Sequence, residues 1–373
     1  MNFYNQPIVL DNGSGNIRCG FSGDEKPRVS YSNIIGTPKY NKINYLPNAI
    51  KQNDTFVGND AQINRGLLKL VYPIENGNIE DWNSMEIIWD KVLKHDLMKD
   101  NEINLNEHSI LINDEIFTSN KQRETICQIL FETFNIGAIN LSISNLLSLY
   151  AMGKTTGVSV NIGDGICSIV NIFDGYILPN SLKRINLAGR EITKILKTEV
   201  TKNGYLMNSS SEFEIIRNLK ERLCSVNMMD NIENGSQSFP LPDGKKLNIT
   251  NESLKKPCEL LFNPISFGYE DNSIQELIYK SIINNDTELR FKLFNSIILS
   301  GGSTCFKNFG NRLIKEIRKI DNEIGFKIFA STERKNNCFI GGSIISSLST
   351  FNNIVISRKE FNENPQCVYE KYY

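Results

Sequence analysis

The sequence predicts an α/β protein made of two related halves, and three observations carry that prediction. A strand, a tight turn and a second strand open the chain at Ile8-Val9-Leu10-Asp11-Asn12-Gly13-Ser14-Gly15-Asn16-Ile17-Arg18-Cys19-Gly20-Phe21. The pattern recurs at Val158-Ser159-Val160-Asn161-Ile162-Gly163-Asp164-Gly165-Ile166-Cys167-Ser168-Ile169-Val170, which reads as a duplication. Helix-spaced apolar residues follow each hairpin, and 373 residues are enough for two cores.

In the first hairpin Asp11 ends an apolar strand, where a carboxylate is costly unless it meets a cation or keeps its water. The turn offers backbone N–H groups, the Ser14 hydroxyl and the Arg18 cation to an anion. A phosphate with hydrated Mg²⁺ would satisfy both, because Mg²⁺ keeps several waters and takes few protein ligands. An ordinary β-hairpin would use the same Asn, Gly and Ser for its turn alone. Residues 30–57 are polar and rich in Asn and Lys, with isolated Ile43, Tyr45, Leu46 and Ile50, and read as a small subdomain carrying a mobile loop. Asp81-Trp82-Asn83-Ser84 starts a helix whose Met85, Ile88, Trp89, Val92 and Leu93 share one face. A strand at Ser109–Asn113 follows, then helices over Arg123–Phe134 and Asn145–Met152.

After the second hairpin a helix starts at Gly189-Arg190-Glu191. Another is predicted from Ser211-x-x-Glu214, read as a capping box, to Leu223, burying Ile215, Ile216, Leu219 and Leu223. Leu241-Pro242-Asp243-Gly244 turns between two strands. The strand Ser296–Leu299 leads through Ser300-Gly301-Gly302-Ser303-Thr304 into a helix. Glycines there allow a ligand close to the backbone and the helix N-terminus favours an anion; a turn needing positive φ would use the same residues. Gly341-Gly342-Ser343 repeats that strand-to-helix arrangement, with mainly a packing role. Two phosphate-binding hairpins, one per half, would close on a nucleotide from both sides.

Composition excludes several alternatives. A hydrophobic share of 40% and a charged share of 22% are those of a globular protein, and a net charge of −1 gives no electrostatic case for nucleic acid or a membrane surface. No stretch approaches a membrane span, and Met1-Asn2-Phe3-Tyr4-Asn5-Gln6-Pro7 lacks the basic and apolar regions of a signal peptide. The eight cysteines are scattered without a Cys-x-x-Cys pair, which favours reduced thiols in a cytosolic compartment. The two histidines, His95 and His108, lie in a polar region between a helix and a strand and read as solvated surface residues, so histidine-based nucleophilic catalysis has little support.

Taken in order, these stretches resemble the actin family. Asp11-Asn12-Gly13-Ser14-Gly15 is similar to its first phosphate loop and Gly163-Asp164-Gly165 to its second, while Lys220-Glu221 and Ser300-Gly301-Gly302-Ser303-Thr304 resemble its adenosine-binding elements. Arg65-Gly66-Leu67-Leu68, Tyr72-Pro73-Ile74-Glu75, Asp81-Trp82, Leu147-Ser148-Leu149-Tyr150 and Ile340-Gly341-Gly342-Ser343-Ile344 are further landmarks. The resemblance implies an actin-like two-domain ATPase fold of duplicated mixed-sheet halves closing on a nucleotide. Residues 1–151 and 337–373 would form the first, outer domain, with 33–72 its small mobile subdomain. Residues 152–336 would form the second, inner domain, with 188–262 its small subdomain. ATP or ADP would be held at its phosphates by Gly13, Ser14, Gly15, Asn16, Arg18, Gly163, Asp164, Gly165 and Ile166. The adenosine would meet Arg217, Lys220, Glu221, Gly301, Gly302, Ser303, Phe306 and Lys335, and Asp11, Asn161 and Asp164 would hold Mg²⁺ through water.

Within the family, Tyr4-Asn5-Gln6-Pro7, Arg65-Gly66-Leu67-Leu68-Lys69-Leu70, Glu80-Asp81-Trp82-Asn83-Ser84-Met85-Glu86 and Ser209-Ser210-Ser211-Glu212-Phe213-Glu214-Ile215 are similar to the branch that builds the short filament of dynactin. The acidic N-terminal cluster of conventional actin, used by myosin, is missing. That resemblance implies self-association into a short filament in the cytoplasmic cytoskeleton, with dynactin subunits and capping proteins as partners and dynein indirectly. Microtubule transport, nuclear migration and spindle positioning would be the processes served, with no nucleic acid and no membrane insertion.

Departures from the family bear on chemistry. Asn161 stands where actin has an Asp, Arg18 where it has a phosphate-binding Lys, and Ser144 and Ser168 where a Gln and a His position the attacking water. Positioning that water is most of what a protein contributes to such hydrolysis, and losing one such group commonly costs a factor of about 10² to 10⁴. The expectation is a tight nucleotide binder with at most slow ATPase activity and no assigned catalytic residue. Asn113–Asn120 departs from the family's Glu-Ala-Pro-Leu-Asn-Pro stretch and Asn76 replaces a modified His, which touches the nucleotide-sensing loop. Phe267 and Tyr269, in Pro264–Ser273, resemble an inter-strand plug or pack locally. The alternative is a divergent conventional actin with dynamic filaments, against which the missing Gln and His argue. A sugar or acetate kinase would need a base carboxylate beside an acceptor pocket. A chaperone ATPase would need a separate substrate domain, which a chain ending at Tyr373 does not accommodate.

Overall fold

The computed structural model describes residues 5–39, 54–97, 104–228 and 235–370. The chain divides into two compact units, the first of Met1–Thr155, Ile172–Ile177 and Lys335–Tyr373, the second of Thr156–Asn171 and Leu178–Arg334. Each has its own mixed sheet.

The sheet of the first unit runs in the order Ile356–Ser357, Ala138–Ile143, Ser109–Asp114, Ile8–Asn12, Asn16–Phe21, Val29–Ser32. Ile8–Asn12 lies parallel to Ser109–Asp114 on one side and antiparallel to Asn16–Phe21 on the other, with Asp11 opposite Arg18. Its unbroken Ile8-Val9-Leu10 run is what a strand covered on both faces requires. Ile8 and Leu10 face Met85, Ile88 and Trp89. Val9 faces the other way, towards Leu111, Leu147 and Phe339. The helix Trp82–Asp90 starts where expected, at Asp81, whose carboxylate accepts the Ser84 N–H at 3.1 Å. The strand Ser109–Asp114 and the helices Asn120–Glu132 and Ser144–Tyr150 match expectation to within a few residues.

Gly341 and Gly342 correct the sequence reading in part. They lie inside the helix Asn337–Ser346 rather than at a strand-to-helix turn. Their packing role is as expected, because a Cβ at Gly341 would stand 1.8 Å from the Leu147 carbonyl oxygen, so this helix meets Ser144–Tyr150 backbone to backbone. His108 is a second correction. It is 4% exposed, its Nδ1 sits 2.7 Å from the Gln6 carbonyl oxygen and its ring lies 5.9 Å from Phe21, whereas His95 is exposed. A smaller sheet places Ile35–Pro38 between Phe56–Val57 and Leu68–Val71. Ile43, Tyr45, Leu46 and Ile50 lie outside the described residues.

In the second sheet, which belongs mainly to the second unit, Cys167–Phe173 lies beside Gly157–Ile162, then come Ile297–Ser300 and Ile328–Phe329, while Lys183–Ile185 pairs with Cys167–Phe173. Gly157–Ile162 and Ile297–Ser300 run parallel and bring Asn161 opposite Ser300. The core collects Val158, Val160 and Ile162 with Ile192 and Leu196 of the helix Gly189–Lys202 and with Ile216 and Leu219 of the helix Ser210–Leu223. The capping box of the latter lies two residues before the expected one. Glu212 accepts the Ser209 N–H at 2.7 Å and Ser209 Oγ accepts the Glu212 N–H at 3.2 Å. Ser-x-x-Glu occurs in both registers, and Glu214, the alternative partner, is buried near Arg217 at 3.7 Å. Ile216 and Leu219 are buried as expected, while Ile215 and Leu223 are only partly so.

The turn at Leu241–Gly244 joins Ser236–Pro240 to Lys246–Thr250, with Gly244 at φ +81°. Phe267 and Tyr269 pack locally: both rest half-buried on the core, and the Tyr269 hydroxyl donates to Glu191 at 3.1 Å. The exposed large apolar side chain of that loop is Ile265, 75% exposed. Among the described residues no helix is long and apolar enough to cross a membrane.

Candidate functional site

The first hairpin is held tightly at its tip. The Gly13 N–H donates to the Asn16 carbonyl at 3.1 Å, and a Cβ on Gly13 would come within 2.9 Å of that same oxygen. Ser14 is buried, and its hydroxyl accepts the Gly77 N–H at 3.3 Å. Asp11 is 5% exposed and paired across the strands with Arg18, Nη1 to Oδ2 2.9 Å. Arg18 Nε is buried without a hydrogen-bond partner. The cation expected at a phosphate and the carboxylate expected at a hydrated metal are thus side by side.

Ser144 and Ser168 are enclosed. Ser144 is 1% exposed; its hydroxyl accepts from Asn113 Nδ2 at 3.0 Å and donates to Glu115 Oε1 at 2.7 Å. The Asp11 and Glu115 carboxylates also approach Cys338, whose thiol is raised well above the usual range by burial first and these charges second. Ser168, fully buried, stands on the strand Cys167–Phe173 opposite Arg184.

The second hairpin gathers most of the remaining expected residues around its turn. Ser303 Oγ donates to the Gly163 carbonyl at 2.7 Å, and the Gly189 N–H reaches the same oxygen at 3.1 Å. Lys220 Nζ donates to the Gly189 carbonyl at 2.7 Å and stands 3.9 Å from Asp164 Oδ1. Arg190 takes the other oxygen of Asp164 at 3.2 Å, and its N–H donates to the Asp164 carbonyl at 2.8 Å. Burial alone would raise the Asp164 carboxyl, but Lys220, Arg217 and Arg190 together hold it below the usual carboxylate range. Burial lowers the Lys220 ammonium, with Asp164 opposing. Gly301, at φ +87°, leaves no room for a side chain: a Cβ would lie 2.3 Å from the Ile162 carbonyl oxygen and 2.7 Å from Asn161 Oδ1. Gly302 faces open space.

Arg217 sits between Glu221 at 3.2 Å and Glu214 at 3.7 Å, Phe306 rests on the core, and Gly165 and Ile166 are buried in the turn. Lys335 is exposed and belongs to the first unit. Arg190 and Gly189 were missed as site residues. The signal was present, because a Gly-Arg pair opening a helix is the backbone donor and cation an anionic turn would recruit. Asn33, which donates to the Gly13 carbonyl, and Asn113, which accepts the Asn12 N–H, gave no such signal.

The donors suit the implied ligand. Asp11 in the first unit, and Asp164 and Asn161 in the second, each supply hard oxygen of the kind that binds a cation through its water, and among the described residues no cluster of three or more His, Cys, Asp or Glu offers a direct metal cage. Gly302 offers open backbone, and the orphaned Arg18 Nε is a buried donor with hydrogen-bonding capacity to spare.

Comparison with known proteins gives the same family from end to end. The family model described as Actin matches residues 3–373. Over 377 residues the chain is 41% identical to a Saccharomyces cerevisiae protein named Centractin, covering 98% of this chain and 96% of that protein. Over 382 residues it is 40% identical to a Neurospora crassa protein named Actin-like protein, covering 99% of this chain and 98% of that one.

Proposed function

The chain belongs to the actin family and is an actin-related protein similar to centractin, and from that premise we propose that it is a nucleotide-loaded filament subunit of the dynactin type. The observation that carries the nucleotide part is the cluster in the second unit, where Gly163, Asp164, Gly189, Lys220 and Ser303 are joined by direct contacts at a glycine turn. The two units are read as the two actin-like domains. The ligand is ATP or ADP with Mg²⁺; the metal would neutralise phosphate charge, and Asp11, Asn161 and Asp164 would hold its waters.

Arg18 and Asp11 suit such a ligand as a pair. An isolated buried charge is strongly destabilising, so Arg18 turns towards a phosphate oxygen only if Asp11 gains another cation. A phosphate with its Mg²⁺ replaces both partners at once. Hydrolysis is slow in this reading, because the Ser144 and Ser168 hydroxyls are short, enclosed and, at Ser144, already committed to Asn113 and Glu115.

Assembly is into a short cytoplasmic filament that scaffolds dynein-driven transport, with dynactin subunits and capping proteins as partners. Electron microscopy of the purified protein with Mg-ATP, alongside phosphate release, tests it. Short filaments of narrow length distribution with little phosphate released support the proposal. Long filaments that disassemble as phosphate appears overturn it in favour of a dynamic conventional actin.

A further inference from the structure

The turn of the first hairpin is fixed from outside by two buried amides of neighbouring segments. Asn33, fully buried just beyond the strand Val29–Ser32, donates from Nδ2 to the Gly13 carbonyl at 2.9 Å and to Asn12 Oδ1 at 3.4 Å. Its own N–H donates to the Gly15 carbonyl at 3.1 Å. On the other side Asn113, 8% exposed, accepts the Asn12 N–H on Oδ1 at 2.5 Å. The parallel pairing of Ile8–Asn12 with Ser109–Asp114 is registered only through Leu10 and Ile112, so the Asn113 side chain extends the ladder where the backbone stops. Its Nδ2 is tied to Ser144 Oγ at 3.0 Å, which fixes which end of the amide faces Asn12.

We propose that Asn33 and Asn113 are positioning residues that preset the Asn12–Gly15 turn for a phosphate. A peptide unit is planar and trans, so pinning the Gly13 carbonyl on Asn33 turns the Ser14 N–H to the opposite side. Pinning the Asn12 N–H on Asn113 fixes the peptide that follows Asp11, and with it the end of the strand from which that carboxylate projects. Preset donors cost no reordering when the ligand arrives, which is how preorganisation raises affinity. The residues act through the backbone, and neither needs to touch the ligand. This role rests on the nucleotide reading above.

The test compares Asn33→Ala and Asn113→Ala with Asn140→Ala. Asn140 is a fully buried amide of the same sheet that donates to the Ile354 carbonyl at 3.0 Å. Two readouts on the full-length protein are Mg-ATP affinity and hydrogen exchange of the 12–16 amides in nucleotide-free protein. The expected result is at least a tenfold loss of affinity and faster exchange at the turn in the two clamp variants. Asn140→Ala, though destabilised, should bind within twofold of wild type with the turn unchanged. Asn33→Ser, which keeps a hydroxyl donor, should fall between wild type and Asn33→Ala and replaces the latter if it does not fold. Equal affinity losses in all three variants, or an unchanged turn in the clamp variants, overturn the role. A wild type with a protected turn but no Mg-ATP binding refutes the nucleotide reading, and the preset-for-phosphate role with it, whereas exchange still reports whether the clamp itself exists.

Discussion

Replacing Lys220 by Met asks how much of the second unit is held by the charge cluster at its hairpin. Lys220 is 4% exposed and 3.9 Å from Asp164, a distance at which opposite charges in a partly shielded interior attract by about 4 kcal/mol. Three terms reduce that figure. Met removes the cost of desolvating the ammonium, Arg190 still holds Asp164 at 3.2 Å, and the Gly189 carbonyl keeps the Thr193 hydroxyl at 2.9 Å. The net loss expected is about 2 kcal/mol, with about 4 as the ceiling. Both tryptophans, Trp82 and Trp89, lie in the first unit, so their fluorescence reports that unit while circular dichroism reports both. In urea Lys220→Met should lower the dichroism transition ahead of the tryptophan one. The pH dependence has a definite sign. Asp164 is held below the usual carboxylate range, so its stabilisation is complete above that range and lost as pH falls through its lowered value. Once it is protonated, wild-type Lys220 retains its burial cost without its partner. The difference between the proteins should therefore be largest at neutral pH and vanish or reverse in acid. An unchanged dichroism transition at neutral pH, or a loss independent of pH, would refute the reasoning.

Gly341→Ala should destabilise the first unit by about 3 kcal/mol, since the new methyl collides with backbone, which yields less readily than a side chain, and the tryptophan transition should report it. Ile265→Asp should leave both transitions within about 0.5 kcal/mol of wild type, because that side chain is 75% exposed. If the loop is a filament contact, the same variant assembles poorly under the electron microscope.

Elements and their order were legible because apolar spacing and turn residues state them directly. Where the reading slipped, two local patterns competed or a tertiary contact decided. Ser209 and Ser211 each precede a Glu by three residues, and only the burial of Glu214 beside Arg217 selects the first as cap. Gly341-Gly342 looks like a turn, yet its small size is needed inside a helix because another helix lies against it. His108 has a polar sequence neighbourhood, but the Gln6 carbonyl and the Phe21 ring that bury it are about a hundred residues away in the chain. The cluster at the second hairpin was readable as separate glycines and cations, whereas Arg190 becomes part of it only through the fold.

The two hairpins occupy equivalent places in two sheets of the same plan. Ser109–Asp114 and Ala138–Ile143 extend the parallel side in the first unit, as Ile297–Ser300 and Ile328–Phe329 do in the second. Open sheets collect ligands beyond the carboxyl ends of their parallel strands, where loops diverge. Those ends carry Asp11, Asn113 and Ser144 in one unit and Asn161 and Gly301 in the other, so the edge that holds polar residues is a property of the plan. What fills it differs. The first unit puts its carboxylate on the strand end and matches it with one cation, Arg18. The second has an amide there, Asn161, and moves the carboxylate onto the turn, where Lys220, Arg190 and Arg217 surround it. A lone pair is opened by one competing ligand, whereas a carboxylate shared among three cations keeps its charge when any one of them turns away. The second hairpin is therefore the more rigid electrostatic anchor, and the first the one whose charges a ligand can redistribute.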